Sequence, residues 1–142
     1  MIIKIKKLKE NAIIPTYSTD GSGAFDISTN MQYNVFLKKD SKHTFTTGIQ
    51  VEVPEGYVML LFSRSGHGFK NSVRLSNCVG VIDSDYRGEI KVALHSEGEG
   101  YMVQPFERIC QGIVIPVPKV EFVEVFALSE TDRGDGGFGS TG

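Results

Sequence analysis

The chain is 142 residues long, the size of one domain, and 40% of it is hydrophobic, which supports a real core and excludes disorder throughout. Fifteen basic residues against 17 acidic ones give a formal net charge of -2. That balance lacks the basic excess of a general nucleic-acid coat, so no nucleic-acid partner is expected. No apolar run approaches the roughly 20 residues that span a bilayer, so no membrane partner is expected either.

Met1 to Lys9 alternates apolar residues with lysines, a strand pattern that lacks the continuous apolar stretch of a signal peptide. The same period of two continues along the chain. Ile49, Val51 and Val53 alternate with Gln50 and Glu52, and Val120, Phe122 and Val123 to Val125 alternate with Glu121 and Glu124. Each pattern predicts a half-buried strand. Turn signals at Asp20-Gly21-Ser22-Gly23, Pro54-Glu55-Gly56 and Glu97-Gly98-Glu99-Gly100 separate the apolar runs. The best place for a helix is Ser65 to Ser72, weakened by its own glycines. Many short strands with frequent turns predict an all-β sandwich or barrel. The cysteines, Cys78 and Cys110, lack metal-ligand spacing and read as small buried hydrophobes of a reducing compartment. A soluble, cytoplasmic protein is the expectation. His43, His67 and His95 show no ligand spacing and read as incidental.

Four segments carry residues suited to chemistry, and a further one, Glu107 to Gln111, is a weaker candidate. Asp26, after Gly23-Ala24-Phe25, offers one carboxylate, and Mg²⁺ often takes few protein ligands and several waters. Ser63-Arg64-Ser65-Gly66 can present a guanidinium, a hydroxyl and free amides to an anion, or it can be an ordinary capped turn. Gly80 to Ile90 reads as a hairpin in which Asp83 is either a general base or, with Asp85, a turn former. Tyr86 is a stacking platform or hairpin packing. Glu107 to Gln111 reads as a charged, solvated strand edge. From Ser129 the chain turns polar and rich in glycine, with five of the 16 glycines in the last nine residues. Such glycines allow a backbone to approach a phosphate closely, Arg133 adds a phosphate clamp, and Phe138 suits stacking on a flat ring. A disordered tail is the competing reading.

Taken in order, these segments resemble the five motifs of the trimeric deoxyuridine triphosphate nucleotidohydrolases, or dUTPases, over Pro15 to Gly142. Gly23 to Asp26 resembles the first motif, with the small pair in the order Gly-Ala instead of Ala-Gly. Arg64-Ser65-Gly66 matches the second, although Ser63 stands for the usual Pro and His67-Gly68 for Leu-Ala. Asn77 through Tyr86 matches the third, Glu107 to Gln111 resembles Gly-Asp-Arg-Ile-Ala-Gln of the fourth, and Arg133 to Gly142 matches the fifth.

The resemblance implies a distorted jelly roll of the β-clip type, with residues 1–128 as the core and residues 129–142 as a mobile arm. It also implies a homotrimer in which the second motif, the third motif and the arm of each active site come from three different subunits. The implied reaction converts dUTP and water to dUMP and pyrophosphate, keeping uracil out of DNA and supplying dUMP for thymidylate synthesis. Asp83 would deprotonate the attacking water, and Mg²⁺ would be held through water near Asp26. Arg64, Ser65, Gly66 and Gln111 would bind phosphate. The segment bearing Asn77, Gly80, Val81, Ile82 and Lys91 would read uracil through its backbone, and Tyr86 would exclude a 2′-hydroxyl. Arg133, Phe138, Gly139 and Ser140 would close over the nucleotide. A dCTP deaminase and a non-catalytic dUTP-sensing module are the alternatives. No Glu lies between Asn77 and Gly88 to serve a deaminase, and Asp83 and the tail are both intact.

Overall fold

The structure, a computed structural model, describes residues 1–140. Twelve short strands and one helix follow one another. They are β1 (Lys4–Lys7), β2 (Thr16–Tyr17), β3 (Phe25–Ser28), β4 (Val35–Leu37), β5 (Ser41–Thr46), β6 (Ile49–Glu52), β7 (Tyr57–Phe62), α1 (Ser65–Asn71), β8 (Val73–Leu75), β9 (Gly80–Ile82), β10 (Lys91–Ser96), β11 (Tyr101–Val103) and β12 (Arg108–Pro116). Four antiparallel sheets result, β1-β6, β5-β10-β8, β11-β4 and a five-stranded sheet in the order β2-β3-β12-β7-β9.

The period of two determines which residues go inside. Ile49, Val51 and Val53 are buried while Gln50 and Glu52 alternate with them at partial exposure. Ile27, Phe45, Leu75, Leu94 and Ile109 join them in one hydrophobic core drawn from all parts of the fold. The architecture is the all-β single domain expected. A register shift between Arg108 and Cys110 against β3 marks a bulge at the start of β12. Bulges redirect the side chains beside them, and this one lies next to the site described below.

Three sequence expectations are corrected. Residues 117–128 form no strand, and Val120, Phe122, Val123, Val125, Phe126 and Leu128 are all exposed. Alternation supplies a face to bury but not a partner, and a strand needs both. Within the protomer, the last backbone bond of this stretch to the core is Val117 N–H to the Gly56 carbonyl. The flanks of the Asp83 turn do not pair as a hairpin. β9 pairs with β7, whereas β10 pairs with β5 and β8, so the chain splays apart between them. Cys78 is exposed with φ of 62°, not buried, while Cys110 is buried and its thiol is pushed up to about 12 by that burial.

Candidate active site

Sheet register builds the first cleft. Gln111 stands opposite Asp26 on one side and Phe62 on the other, so three adjacent strands form a row. The chain leaves β7 at Ser63 next to this row, which delivers Arg64, Ser65 and Gly66 to the same place. A cleft lined by Ser18, Gly23, Asp26, Arg64 to Gly66 and Gln111 results, almost entirely polar in its named side chains.

Ser63 and Arg64 are fastened separately. Arg64 Nε donates to Asp26 Oδ1 at 2.8 Å, and Arg64 Nη1 donates to the Arg108 carbonyl at 3.2 Å. Arg108 Nη1, beside the bulge, donates to Asp26 Oδ2 at 3.0 Å, and the Ser18 hydroxyl donates to the same oxygen at 2.9 Å. Gln111 Nε2 donates to the Ser63 carbonyl, and the Ser63 hydroxyl accepts the Leu75 N–H at 2.9 Å. That bond gives the hydroxyl of Ser63 a task that the usual Pro could not perform. Burial alone would raise the Asp26 pKa. The Ser18 hydrogen bond and the Arg64 and Arg108 guanidiniums outweigh it and hold the carboxyl below the usual range.

α1 follows directly, and its only buried residue is His67. The ring is 4% exposed, and its Nε2 lies 2.7 Å from Glu107 Oε1. Tyr101 Oη donates to the same oxygen at 2.5 Å, and the Gln104 N–H donates to Oε2 at 2.7 Å. Burial would raise the Glu107 pKa, but these donors outweigh it, so the carboxyl sits below its ordinary value. Burial and Glu107 together push the Tyr101 phenol up to about 12. Two sequence expectations fail here. His67 is not incidental and Glu107 is not a solvated edge. The two residues are 40 positions apart, and only the fold brings them together.

A second cleft, of about 280 Å³, is lined by Asn77, Gly80, Val81, Ile82 and Lys91 among others. β9 is the end strand of its sheet, bonded only to β7, so its other edge presents free backbone donors and acceptors. Asp83 lies beyond the end of β9 in a groove with Tyr57, Val58, Leu60, Asp85 and Arg87, and Val81 lines both spaces. Asp83 is exposed. Its carbonyl accepts the Tyr86 N–H to close a turn, and Tyr86 Oη donates to the Glu89 carbonyl at 3.1 Å. The Tyr86 ring passes so close to Gly88 that a Cβ there would lie 2.2 Å from its hydroxyl. Gly88 is therefore required for the ring to fold back.

The sequence-predicted residues thus fall into separate places. Asp26, Arg64, Ser65, Gly66 and Gln111 come together, as do Asn77, Gly80, Val81, Ile82 and Lys91. Asp83 joins neither group. Register pairs Ile82 with Met59, which sets Asp83 level with Val58, four residues from Phe62. That is about 13 Å along the strand, with β12 and β7 also intervening between Asp26 and β9, about 14 Å across. Arg133, Phe138, Gly139 and Ser140 are stranded in the tail, whose bonds are local turns such as Arg133 Nε to the Gly136 carbonyl at 2.7 Å. The Phe138 ring is fully exposed. Thr141 and Gly142, at the end of the fifth motif, lie outside the described residues.

Sequence reasoning gave no role to Arg108, Ser18, Tyr101 or His67. Arg108 stood inside a quoted motif. His67 and Glu107 were visible as departures from two different motifs, the one signal that could have paired them.

Among the described residues no group of three His, Cys, Asp or Glu side chains could hold a metal ion. Asp26 is the one carboxylate lining the first cleft, and both of its oxygens are already bonded to arginine. This donor set does not fit a directly coordinated cation. It fits a hydrated Mg²⁺ brought in by phosphates and touched through water.

Comparison with known proteins supplies the remaining observation. The dUTPase family model matches residues 10–142. Deoxyuridine 5′-triphosphate nucleotidohydrolase of Finegoldia magna is 44% identical over 142 residues, covering 99% of each chain. The namesake from Nautilia profundicola is 43% identical over 143 residues, covering all of this chain and 99% of its own. Among solved structures, Staphylococcus bacteriophage 80alpha dUTPase with dUpNHpp superposes with a TM-score of 0.91 at 26% identity, covering 99% of this chain and 98% of its own. No helix of the described residues is long and apolar enough to cross a membrane.

Proposed function

The chain belongs to the dUTPase family, and we propose that it hydrolyses dUTP to dUMP and pyrophosphate in an active site shared between the subunits of a homotrimer. One observation carries the shared-site reading. Asp83 stands about 13 Å along β7 from the row that bears Asp26 and Gln111, whereas a general base must come within about 3 Å of its water. Asp83 of one subunit therefore serves the α-phosphorus of a nucleotide whose β- and γ-phosphates the Arg64 cleft of another subunit holds.

In this reading Arg64, Ser65, Gly66 and Gln111 hold phosphate oxygens. The fixed geometry of their donors means little reorganisation is needed as charge builds up. Asp83 takes a proton from water, the water oxygen bonds to the α-phosphorus, and the bond from that phosphorus to the bridging oxygen breaks. Pyrophosphate leaves with the electron pair. Bound Mg²⁺, held through water near Asp26, would supply charge neutralisation and orientation of the phosphates. The free edge of β9 and the backbone near Lys91 pair with uracil. Cytosine would leave buried groups unsatisfied, a mismatch worth up to ~10⁴–10⁵ in selectivity. Tyr86 packs against deoxyribose where a 2′-hydroxyl would need room. Arg133, Phe138, Gly139 and Ser140 close from a third subunit, with Phe138 on the uracil. Residues 129–142 act as a mobile arm, and the free thiols of Cys78 and Cys110 suit a cytoplasmic location. The product dUMP would feed thymidylate synthesis, and removal of dUTP would keep uracil out of DNA.

The test is pyrophosphate release from purified protein with Mg²⁺ and dUTP, with dCTP, dTTP and UTP in parallel and ammonia release measured from dCTP. Release from dUTP alone is expected. A folded protein that releases pyrophosphate from none of them is a binding module instead, and ammonia from dCTP makes it a deaminase.

A further inference from the structure

α1 begins at the second residue of the Arg64-Ser65-Gly66 run, and little holds it in place. It is seven residues long, contains Gly66 and Gly68, has no side-chain N-cap and no acidic residue in its first turn. A helix so short and rich in glycine does not persist on propensity. Its aromatic residue, Phe69, is 93% exposed and anchors nothing. The one buried side chain is His67, and its partners belong to the segment that runs from the start of β11 to the residue before β12. Its Nε2 meets Glu107, and its ring packs edge-on against Tyr101 at 5.3 Å between centroids.

The chemistry of this contact is determined. The Glu107 carboxylate can only accept, so Nε2 carries the hydrogen and donates it. Nδ1 is buried without a partner among the described residues. The ring thus makes one polar bond, and that bond runs to the residue next to Arg108. Arg108 in turn holds Asp26, which holds Arg64. His67 and Arg64 therefore tie the two ends of one turn to two neighbouring residues, Glu107 and Arg108. His67 stands where the resembled motif has Leu, and Glu107 where it has Asp. The longer acid reaches the imidazole, so the two departures account for each other.

We propose that His67 is a positioning residue. Through Glu107 it holds the first turn of α1 so that Ser65 and Gly66 meet the phosphates of the nucleotide, a role that rests on the phosphate-binding reading of that cleft. The test is calorimetric binding of 2′-deoxyuridine 5′-(α,β-imido)triphosphate and of dUMP to the full-length protein and its variants. His67→Leu weakens the triphosphate analogue about tenfold, as loss of one hydrogen bond to a charged group would, and leaves dUMP within about twofold. His67→Gln keeps an N–H aimed at Glu107 and restores the affinity. Glu107→Asp draws the carboxylate away from the ring and weakens the analogue in the same direction without altering α1. It carries the test alone if His67→Leu does not fold.

Unchanged analogue affinity in His67→Leu, or in Glu107→Asp where that variant stands alone, overturns the proposal. So does an equal loss in His67→Gln, or a parallel loss for dUMP, since either would mean that the ring only fills space. Wild-type protein that does not release pyrophosphate from dUTP overturns the functional reading itself, a result distinct from any difference between variants.

Discussion

Two loops of this molecule contain much the same residue types and behave in opposite ways. Ser63 to His67 and Arg133 to Ser140 both contain glycine, serine, one arginine and one aromatic or heteroaromatic ring, the second adding Asp135. In the first, Ser63, Arg64 and His67 are each bonded to a different distant strand or turn, through Leu75, Asp26 and Glu107. In the second, every hydrogen bond among the described residues spans three positions, Phe138 is bare, and the preceding stretch exposes a row of apolar side chains. On the proposed reading, the first is an anion cradle whose supports all come from its own chain. The second makes no hydrogen bond to the core among the described residues. Rigidity at one and freedom at the other suit a site that holds phosphates before it closes over them.

Perturbing each part sharpens that contrast. The largest effect belongs to Asp83, which neither loop contains. Asp83→Asn lowers kcat by about 10³ while the imido-triphosphate still binds, measured by pyrophosphate release and calorimetry. Removing residues 129–142 lowers kcat/KM by about 10²–10³ and leaves the Tm and the oligomeric mass unchanged. A large fall in Tm would mean that the arm belongs to the core. Tyr86→Ala raises turnover of UTP relative to dUTP about tenfold, because the ring that folds over Gly88 no longer fills the space beside the sugar. The smallest effect concerns acid. Asp26 and Glu107 both sit below their ordinary pKa values of 3.8 and 4.5. Their stabilisation is fully present above those values and fades as the pH falls through the lower folded ones. Between pH 5 and pH 3 the Tm of Glu107→Gln should therefore fall less steeply than that of the wild type, and an equal slope would remove Glu107 from the account.

Much of this was readable before any coordinates. The alternation at Ile49 to Val53 reports which face is buried, and glycines in Ser65 to Ser72 report a short, weak helix. What eluded the sequence was pairing. Val120 to Val125 alternates as well as any strand here, yet alternation carries no information about where a partner strand lies. The flanks of Asp83 look like the two sides of a hairpin, yet each found a better partner in a different sheet. His67 and Glu107 were seen singly as departures from a pattern. Their meaning depends on a contact across 40 residues that no local rule reports. The residues that gather in the two clefts could be picked out only through the order of a family's motifs, because each segment alone reads as well as a turn or a tail. Their division into separate clefts was not legible, since that follows from strand register.

The central claim is that Asp83 and the arm of one active site come from different chains. Its most direct test mixes two inactive proteins, Asp83→Asn and a chain lacking residues 129–142, after reversible dissociation and reassembly. The account predicts that the equimolar mixture recovers about a quarter of wild-type activity, the chance that two independently drawn subunits supply the two intact parts. A mixture no more active than its components would place Asp83 and the arm of each site on the same chain and contradict the account.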